Sequence, residues 1–190
     1  MEFANSKTME NLMRAFAGES QARNRYTFAA GVARSQKLIV VARAFEFTAD
    51  QEKEHAELFY KYLAPVNRQT VQIDGTYPVN LSDSVAELLR FAQHNEYEEY
   101  DPVYREFGDI AKSEGFEKIA TTFYEIAKIE KTHGDRFARL AEHLEKGTLF
   151  REDGGGRFMC LNCGHIYEGT EVPSVCPVCY HDRGYFMRVE

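Results

Sequence analysis

Glu52-Lys53-Glu54-His55 and Glu130-Lys131-Thr132-His133 are two Glu-x-x-His motifs set 78 residues apart. Residues three apart on a helix share a face, so each motif aims a carboxylate and an imidazole the same way. One such motif alone is ordinary on a solvated helix face. Here each has a further glutamate upstream, Glu19 for the first and Glu96 for the second, at 33 and 34 residues. Two Glu-x-x-His helices and two single-Glu helices are the ligand set of a di-metal site inside a four-helix bundle. Carboxylate oxygen with imidazole nitrogen suits iron or manganese. Several carboxylates in one core also need cations, because a buried unpaired carboxylate is very costly.

Working outward, the motifs belong to a repeat. Shifted by 78, Ser35, Ala42, Phe45, Ala49, Glu52, Lys53 and His55 match Ser113, Ala120, Phe123, Ala127, Glu130, Lys131 and His133. Shifted by 77, Leu12, Ala15 and Glu19 match Leu89, Ala92 and Glu96. The unit is a duplicated helical hairpin. The repeat fails at Glu99, which stands opposite Ala22 and three residues after Glu96. By spacing, Glu99 is either a surface residue of an acidic run or one ligand more than a symmetric site needs. Tyr26 and Tyr104 lie about two turns after Glu19 and Glu96. Each either hydrogen-bonds a carboxylate or only packs.

Four long helices are expected, at about Ser6–Ala33, Lys37–Leu63, Ser82–Lys112 and Phe116–Glu145. Ser84-Val85-Ala86-Glu87 reads as a capping box for the third, and Pro102 should kink that helix or change its hydrogen bonding. Short links near Gln36 and Gly115 and one crossover over Ala64–Asp83 make an all-α ferritin-like arrangement. After Gly147 the composition changes. Residues 1–147 are read as the bundle, 148–156, with Gly154-Gly155-Gly156, as a flexible linker, and 157–190 as a small metal-stabilised β domain.

In that last part Cys160-Leu161-Asn162-Cys163 and Cys176-Pro177-Val178-Cys179 form two Cys-x-x-Cys pairs, a strong signal for a tetrahedral thiolate site. So short a segment folds largely on its metal. Spacing alone favours zinc there. Of the 190 residues 44% are hydrophobic, and the net charge is −7. That balance argues against nucleic acid or an anionic membrane as partner. No apolar run is long enough for a membrane span and no secretory signal is visible, so the expected place is the cytoplasm.

Taken together, the Glu/His set and the cysteine pairs resemble the rubrerythrin family over the whole chain, with a ferritin-like di-iron domain followed by a rubredoxin-like one. The resemblance implies that Glu19, Glu52, Glu96, Glu99, Glu130 and His133 bind two irons, with Glu52 and Glu130 bridging. It implies that Glu99 and His55 exchange on one iron as the oxidation state changes, that Tyr26 and Tyr104 lie at the site, and that Cys160, Cys163, Cys176 and Cys179 hold a third iron, which zinc can replace. The implied activity is a peroxidase, reducing hydrogen peroxide to water as a defence against oxidative stress in an anaerobe or microaerophile. Its electrons would come from NAD(P)H through rubredoxin or a reductase, and the protein would be a homodimer or higher homo-oligomer. The alternatives are a ferritin-like iron-storage or ferroxidase protein, an oxygen-activating oxidase, and a zinc-tailed binding protein.

Overall fold

The structure, a computed structural model, describes residues 2–189. Helices α1 (Lys7–Ser35) and α2 (Ile39–Tyr62) form the first hairpin. The second comprises α3 (Val85–Glu98), α4 (Tyr104–Ser113) and α5 (Glu117–Glu145). The third bundle helix, expected as one helix disturbed at Pro102, is divided there. A π-helical turn at Glu99–Val103 separates α3 from α4, and Asp101 within it has extended backbone (φ −154°, ψ 114°). Pro102 is the physical reason, since it has no N–H to give and its ring crowds the preceding turn. The turn begins at Glu99, the residue where the sequence repeat fails.

Capping also departs in one detail. Ser6 and Ser84 are the N-caps of α1 and α3, although the 77-residue shift that aligns these helices sets Ser6 opposite Asp83. Ser6 Oγ accepts from Met9 N at 3.1 Å and Ser84 Oγ from Glu87 N at 3.4 Å. The Glu87 carboxylate does not return to Ser84 N–H as a capping box requires. The Ser82 hydroxyl stands between them, donating to Glu87 at 2.6 Å and accepting from Ser84 N at 2.9 Å. The crossover itself has a short 3₁₀ turn at Ala64–Val66 and is otherwise irregular to Ser84.

The bundle core is two apolar clusters with a polar layer between. One holds Tyr26, Phe45 and Phe137, with ring centroids 5.1–6.0 Å apart. The other holds Tyr104, Phe123 and Phe59, at 5.0–5.8 Å. These trios are equivalent under the 78-residue shift. Burying an aromatic side chain stabilises by roughly 1.5–3 kcal/mol, and these six rings close the polar layer from both ends.

The C-terminal part is a three-stranded antiparallel sheet of β1 (Arg151–Cys160), β2 (Ile166–Glu171) and β3 (Phe186–Val189), ordered β2-β1-β3. Gly154–Gly156, expected as a flexible linker, lie inside β1. The β1–β2 register shifts between Arg151 and Gly156, and Gly155 takes φ +82° there, a bulge that only glycine adopts without strain. The sheet module rests on its own bundle: Leu161, Met187 and Phe150 pack against the first apolar cluster. Gly184 approaches the α1–α2 turn so closely that a Cβ would stand 1.8 Å from the Lys37 carbonyl oxygen. No helix among the described residues is long and apolar enough to cross a membrane.

Candidate metal centres

The polar layer is built by one turn from each bundle helix. Glu19 comes from α1, Glu52 and His55 from α2, Glu96 from α3, and Glu130 and His133 from α5. All six are buried, His55 at 8% exposure being the most open. They fall into two four-residue groups whose ligand atoms lie within 4.8 Å of one another: Glu19, Glu52, His55 and Glu130, and Glu52, Glu96, Glu130 and His133. Glu52 and Glu130 belong to both. His55 Nδ1 lies 3.0 Å from Glu130 and 3.1 Å from Glu52, and 3.9 Å from Glu19. His133 Nδ1 lies 2.8 Å from Glu130, 3.0 Å from Glu52 and 3.4 Å from Glu96.

Much of this closeness is not hydrogen bonding. Glu19 Oε2, Glu52 Oε1, Glu96 Oε2, both Glu130 carboxylate oxygens and His133 Nδ1 are buried without a geometrically sound partner. Orphaned buried polar atoms are rare and each requires an explanation. Here they converge on two common points, as donors to two cations do, and the residues fit a di-metal centre.

The electrostatics agree. Burial, then the neighbouring Glu130 and Glu52, pushes the Glu19 carboxyl well above its ordinary value. Burial and then Glu52 raise Glu96. For His55, burial opposes the charged form, but the Glu130 and Glu52 carboxylates beside it win and hold the imidazole up to about 9. His133 is likewise pushed up to about 12 against burial, by Glu130, Glu52 and Glu96. A cluster that draws protons this strongly is one whose charge bound cations would neutralise, reversing the same shifts.

The tyrosines reach across the bundle. Tyr104 Oη donates to Glu19 Oε1 at 2.6 Å, and Tyr26 Oη donates to Glu96 Oε1. Each hairpin's tyrosine therefore holds the other hairpin's single glutamate. Both phenols are pushed well above their usual range, first by burial and then by that glutamate's charge, so both remain donors.

Glu99 is not brought into either group. It is largely buried and lines a cavity beside the layer. Burial, followed by Glu96, Glu130 and Glu52, drives its carboxyl well above the ordinary range. Sequence reading missed Gln51. Its Oε1 lies 3.1 Å from His133 Nε2, fixing that imidazole with Nδ1 toward the carboxylates, and it also accepts from Arg136 at 3.2 Å. The only signal in the sequence is its place directly before Glu52, and helix phase gives no reason to pair it with α5.

The cysteines form the second centre. Cys160 and Cys179 have Sγ atoms 3.7 Å apart, as do Cys163 and Cys176. A tetrahedral site with metal–sulfur bonds of about 2.3 Å has sulfur–sulfur edges of about 3.8 Å. The two loops are alike. Gly164 N donates to Cys160 O at 2.8 Å and Tyr180 N to Cys176 O at 3.0 Å. Both of these residues have positive φ, 77° for Gly164 and 61° for Tyr180.

A family model described as rubrerythrin matches residues 10–141, and one described as the rubrerythrin rubredoxin-like domain matches residues 158–187. The chain belongs to the rubrerythrin family. It is 43% identical over 182 residues to a rubrerythrin of Clostridium perfringens, covering 95% of this chain and 93% of that one. Its structure is similar to nigerythrin in a mixed-valence state (TM-score 0.64, 28% identity, 98% and 90% covered). A Desulfovibrio desulfuricans bacterioferritin shares the fold (TM-score 0.66, 21% identity, 75% and 82% covered). Membership gives the rubrerythrin architecture, a ferritin-like bundle with a rubredoxin-like module, and a setting in which both residue clusters are consistent with iron.

Proposed function

We propose that this rubrerythrin-family chain is a peroxidase that reduces hydrogen peroxide to two waters, taking up two electrons and two protons per turnover. The observation that carries the reading is the doubled ligand set, with Glu52 and Glu130 common to both groups and Glu99 waiting beside one of them. Glu52 and Glu130 would bridge two irons. Glu96 and His133 would complete one, and Glu19 the other, with His55 and Glu99 alternating there. When bound, the paired irons supply one electron each to the peroxide oxygen–oxygen bond, and the Cys160/Cys163/Cys176/Cys179 iron returns electrons singly.

The chain's own residues do the rest. Tyr26 and Tyr104 keep their protons and steady Glu96 and Glu19. Gln51 fixes the His133 ring. The two aromatic trios keep water from the layer at both ends. We assign residues 1–147 to the catalytic bundle and 157–190 to the electron-transfer module, with 148–156 joining them. The electrons originate with NAD(P)H and arrive through rubredoxin or a reductase. The protein works in the cytoplasm as a defence against oxidative stress in an anaerobe or microaerophile. The exposed Phe28 and Phe47, on α1 and α2, offer apolar surface to a second copy in a homodimer.

The test is to mix the anaerobically reduced, iron-loaded protein with stoichiometric peroxide and, separately, with oxygen. Peroxide is expected to oxidise the bundle site faster. Equal or slower oxidation by peroxide refutes the reading.

A further inference from the structure

The middle of the crossover folds back over α1. Arg14 Nε donates to the Asp74 carbonyl at 3.0 Å and Arg14 Nη2 to Asp74 Oδ1 at 2.6 Å. Tyr77 Oη donates to the Arg14 carbonyl at 3.0 Å. These bonds lay the Tyr77 ring across Gly18, where an added Cβ would meet it at 3.7 Å, and against Gly75, where one would press on it at 3.1 Å. Beneath the ring is a cavity of about 520 Å³, walled in part by Gly18, Asn95, Glu99 and Tyr104. Gly18 adjoins Glu19, and Tyr104 is bonded to Glu19. The cavity therefore backs onto the Glu19–Glu99 side of the polar layer. Three other large cavities among the described residues touch none of the Glu and His residues of that layer: one of about 780 Å³ beside Phe47 and Asp50, one of about 600 Å³ beside Arg136 and Met187, and one of about 570 Å³ beside Asp101 and Lys128.

Its chemistry selects by charge and by size. Asp74, Glu98, Glu99 and Glu106 line it, and Arg14, the one cation in the wall, is paired with Asp74. Such a wall disfavours anions. The cavity is large for hydrogen peroxide, so discrimination by size must come at its opening. The cavity opens to solvent, and Tyr77, 40% exposed and part of its wall, is the bulkiest side chain that the crossover sets at that opening.

We propose that this cavity is the route by which a small uncharged hydroperoxide reaches the Glu99 side of the site, and that Tyr77 is the residue that excludes bulkier hydroperoxides. The inference rests on the peroxidase reading for its substrate class, but not for its geometry.

Two measurements on Tyr77→Ala and Tyr77→Phe test it. In the first, reduced iron-loaded protein is mixed with hydrogen peroxide or with tert-butyl hydroperoxide. Tyr77→Ala is expected to raise the rate with the bulky reagent about tenfold while changing that with hydrogen peroxide by less than about twofold. Tyr77→Phe, which keeps the ring, should resemble the parent. An unchanged ratio in Tyr77→Ala overturns the proposal. So does a variant that only takes up ferrous ion faster, which would make the cavity a metal route.

The second measurement uses zinc-loaded, redox-silent protein and tert-butanol as the probe, followed through the ¹⁵N amide signals of Gly18 and Gly75. These should move in Tyr77→Ala and stay still in the parent. Equal movement in both removes the role of Tyr77. This readout stands even if peroxide proves not to be the oxidant, so the two ideas fail separately.

Discussion

The first hairpin, α1–α2, and the second, α3–α5, place like residues at like positions. Glu19 and Glu96, Glu52 and Glu130, and His55 and His133 line the polar layer; Tyr26 and Tyr104 cross over to hold it. Among the positions where the hairpins differ, three equivalent pairs bear on the layer and its frame. Ala22 stands opposite Glu99, Gln51 opposite Ile129, and Gln36 opposite Glu114. The shared positions explain how the chain collects two groups of residues able to hold a metal ion. The unshared ones explain why the sets are not alike: His133 is tethered by Gln51, while Ile129 has no acceptor to offer, and only one side of the layer has a spare carboxylate. On the proposed reading, the tethered histidine is the constant ligand and the untethered one is the ligand that exchanges.

The largest effect should come from breaking what the hairpins share. Glu130→Ala removes a residue common to both groups and is expected to abolish iron binding in the bundle, leaving one iron per chain at the cysteines. Glu99→Ala touches only the asymmetry and should keep all three irons while losing the preference for peroxide over oxygen. Metal analysis with the two oxidation rates checks both. Equal iron loss in the two variants would mean that Glu99 is an ordinary ligand and not an alternating one.

Next in size is the tether. Gln51→Leu makes the first hairpin resemble the second at this position and frees the His133 ring. Loss of a hydrogen bond behind a ligating histidine typically costs about 10- to 100-fold in metal affinity. Competition with a chelator should show that weakening in the bundle, with the cysteine site unchanged. Ile129→Leu at the equivalent position, which removes no polar group, is the control and should bind iron as the parent does.

These differences also mark what could be seen in the sequence. The four helices, the disturbance at Pro102 and the six Glu and His residues of the polar layer follow from period, proline and spacing, all local properties; their division into two groups sharing Glu52 and Glu130 comes from the fold. Gln51 was not legible, because its partner is on another helix and a lone glutamine carries no pattern. The location of Glu99 was half legible: its place in the repeat marked it, but only the fold puts it in a cavity. Gly154–Gly156 misled for a physical reason. Glycine suits a free linker and a β-bulge equally, and pairing with β2 decides between them.

The smallest effect concerns the third pair. Each hairpin's turn clasps the start of the other hairpin. Gln36, in the α1–α2 turn, donates through Nε2 to the Asp83 carbonyl at 2.6 Å, just before α3. Glu114, in the α4–α5 turn, accepts from Lys7 N at 3.0 Å, from Thr8 N at 2.9 Å and from Thr8 Oγ1 at 2.6 Å, at the start of α1. One clasp is neutral and the other is charged, against the positive end of a helix dipole. Burial works against the Glu114 carboxylate, but the Thr8 and Lys7 hydrogen bonds outweigh it and hold the pKa below the ordinary 4.5. A pKa lowered by folding means that ionised Glu114 stabilises the fold. That contribution is complete above about pH 4.5 and fades as pH falls through the lower folded value. Glu114→Gln should therefore cost about 1 kcal/mol near neutrality and progressively less in acid. Gln36→Glu should introduce the opposite sign by bringing a carboxylate against a carbonyl oxygen. The measurement is the difference in stability between parent and variant at each pH, which cancels the common loss of metal in acid. A Glu114→Gln difference that stays constant from neutrality down to pH 3 would show that the clasp works through shape alone, and that charge does not distinguish the two hairpin turns.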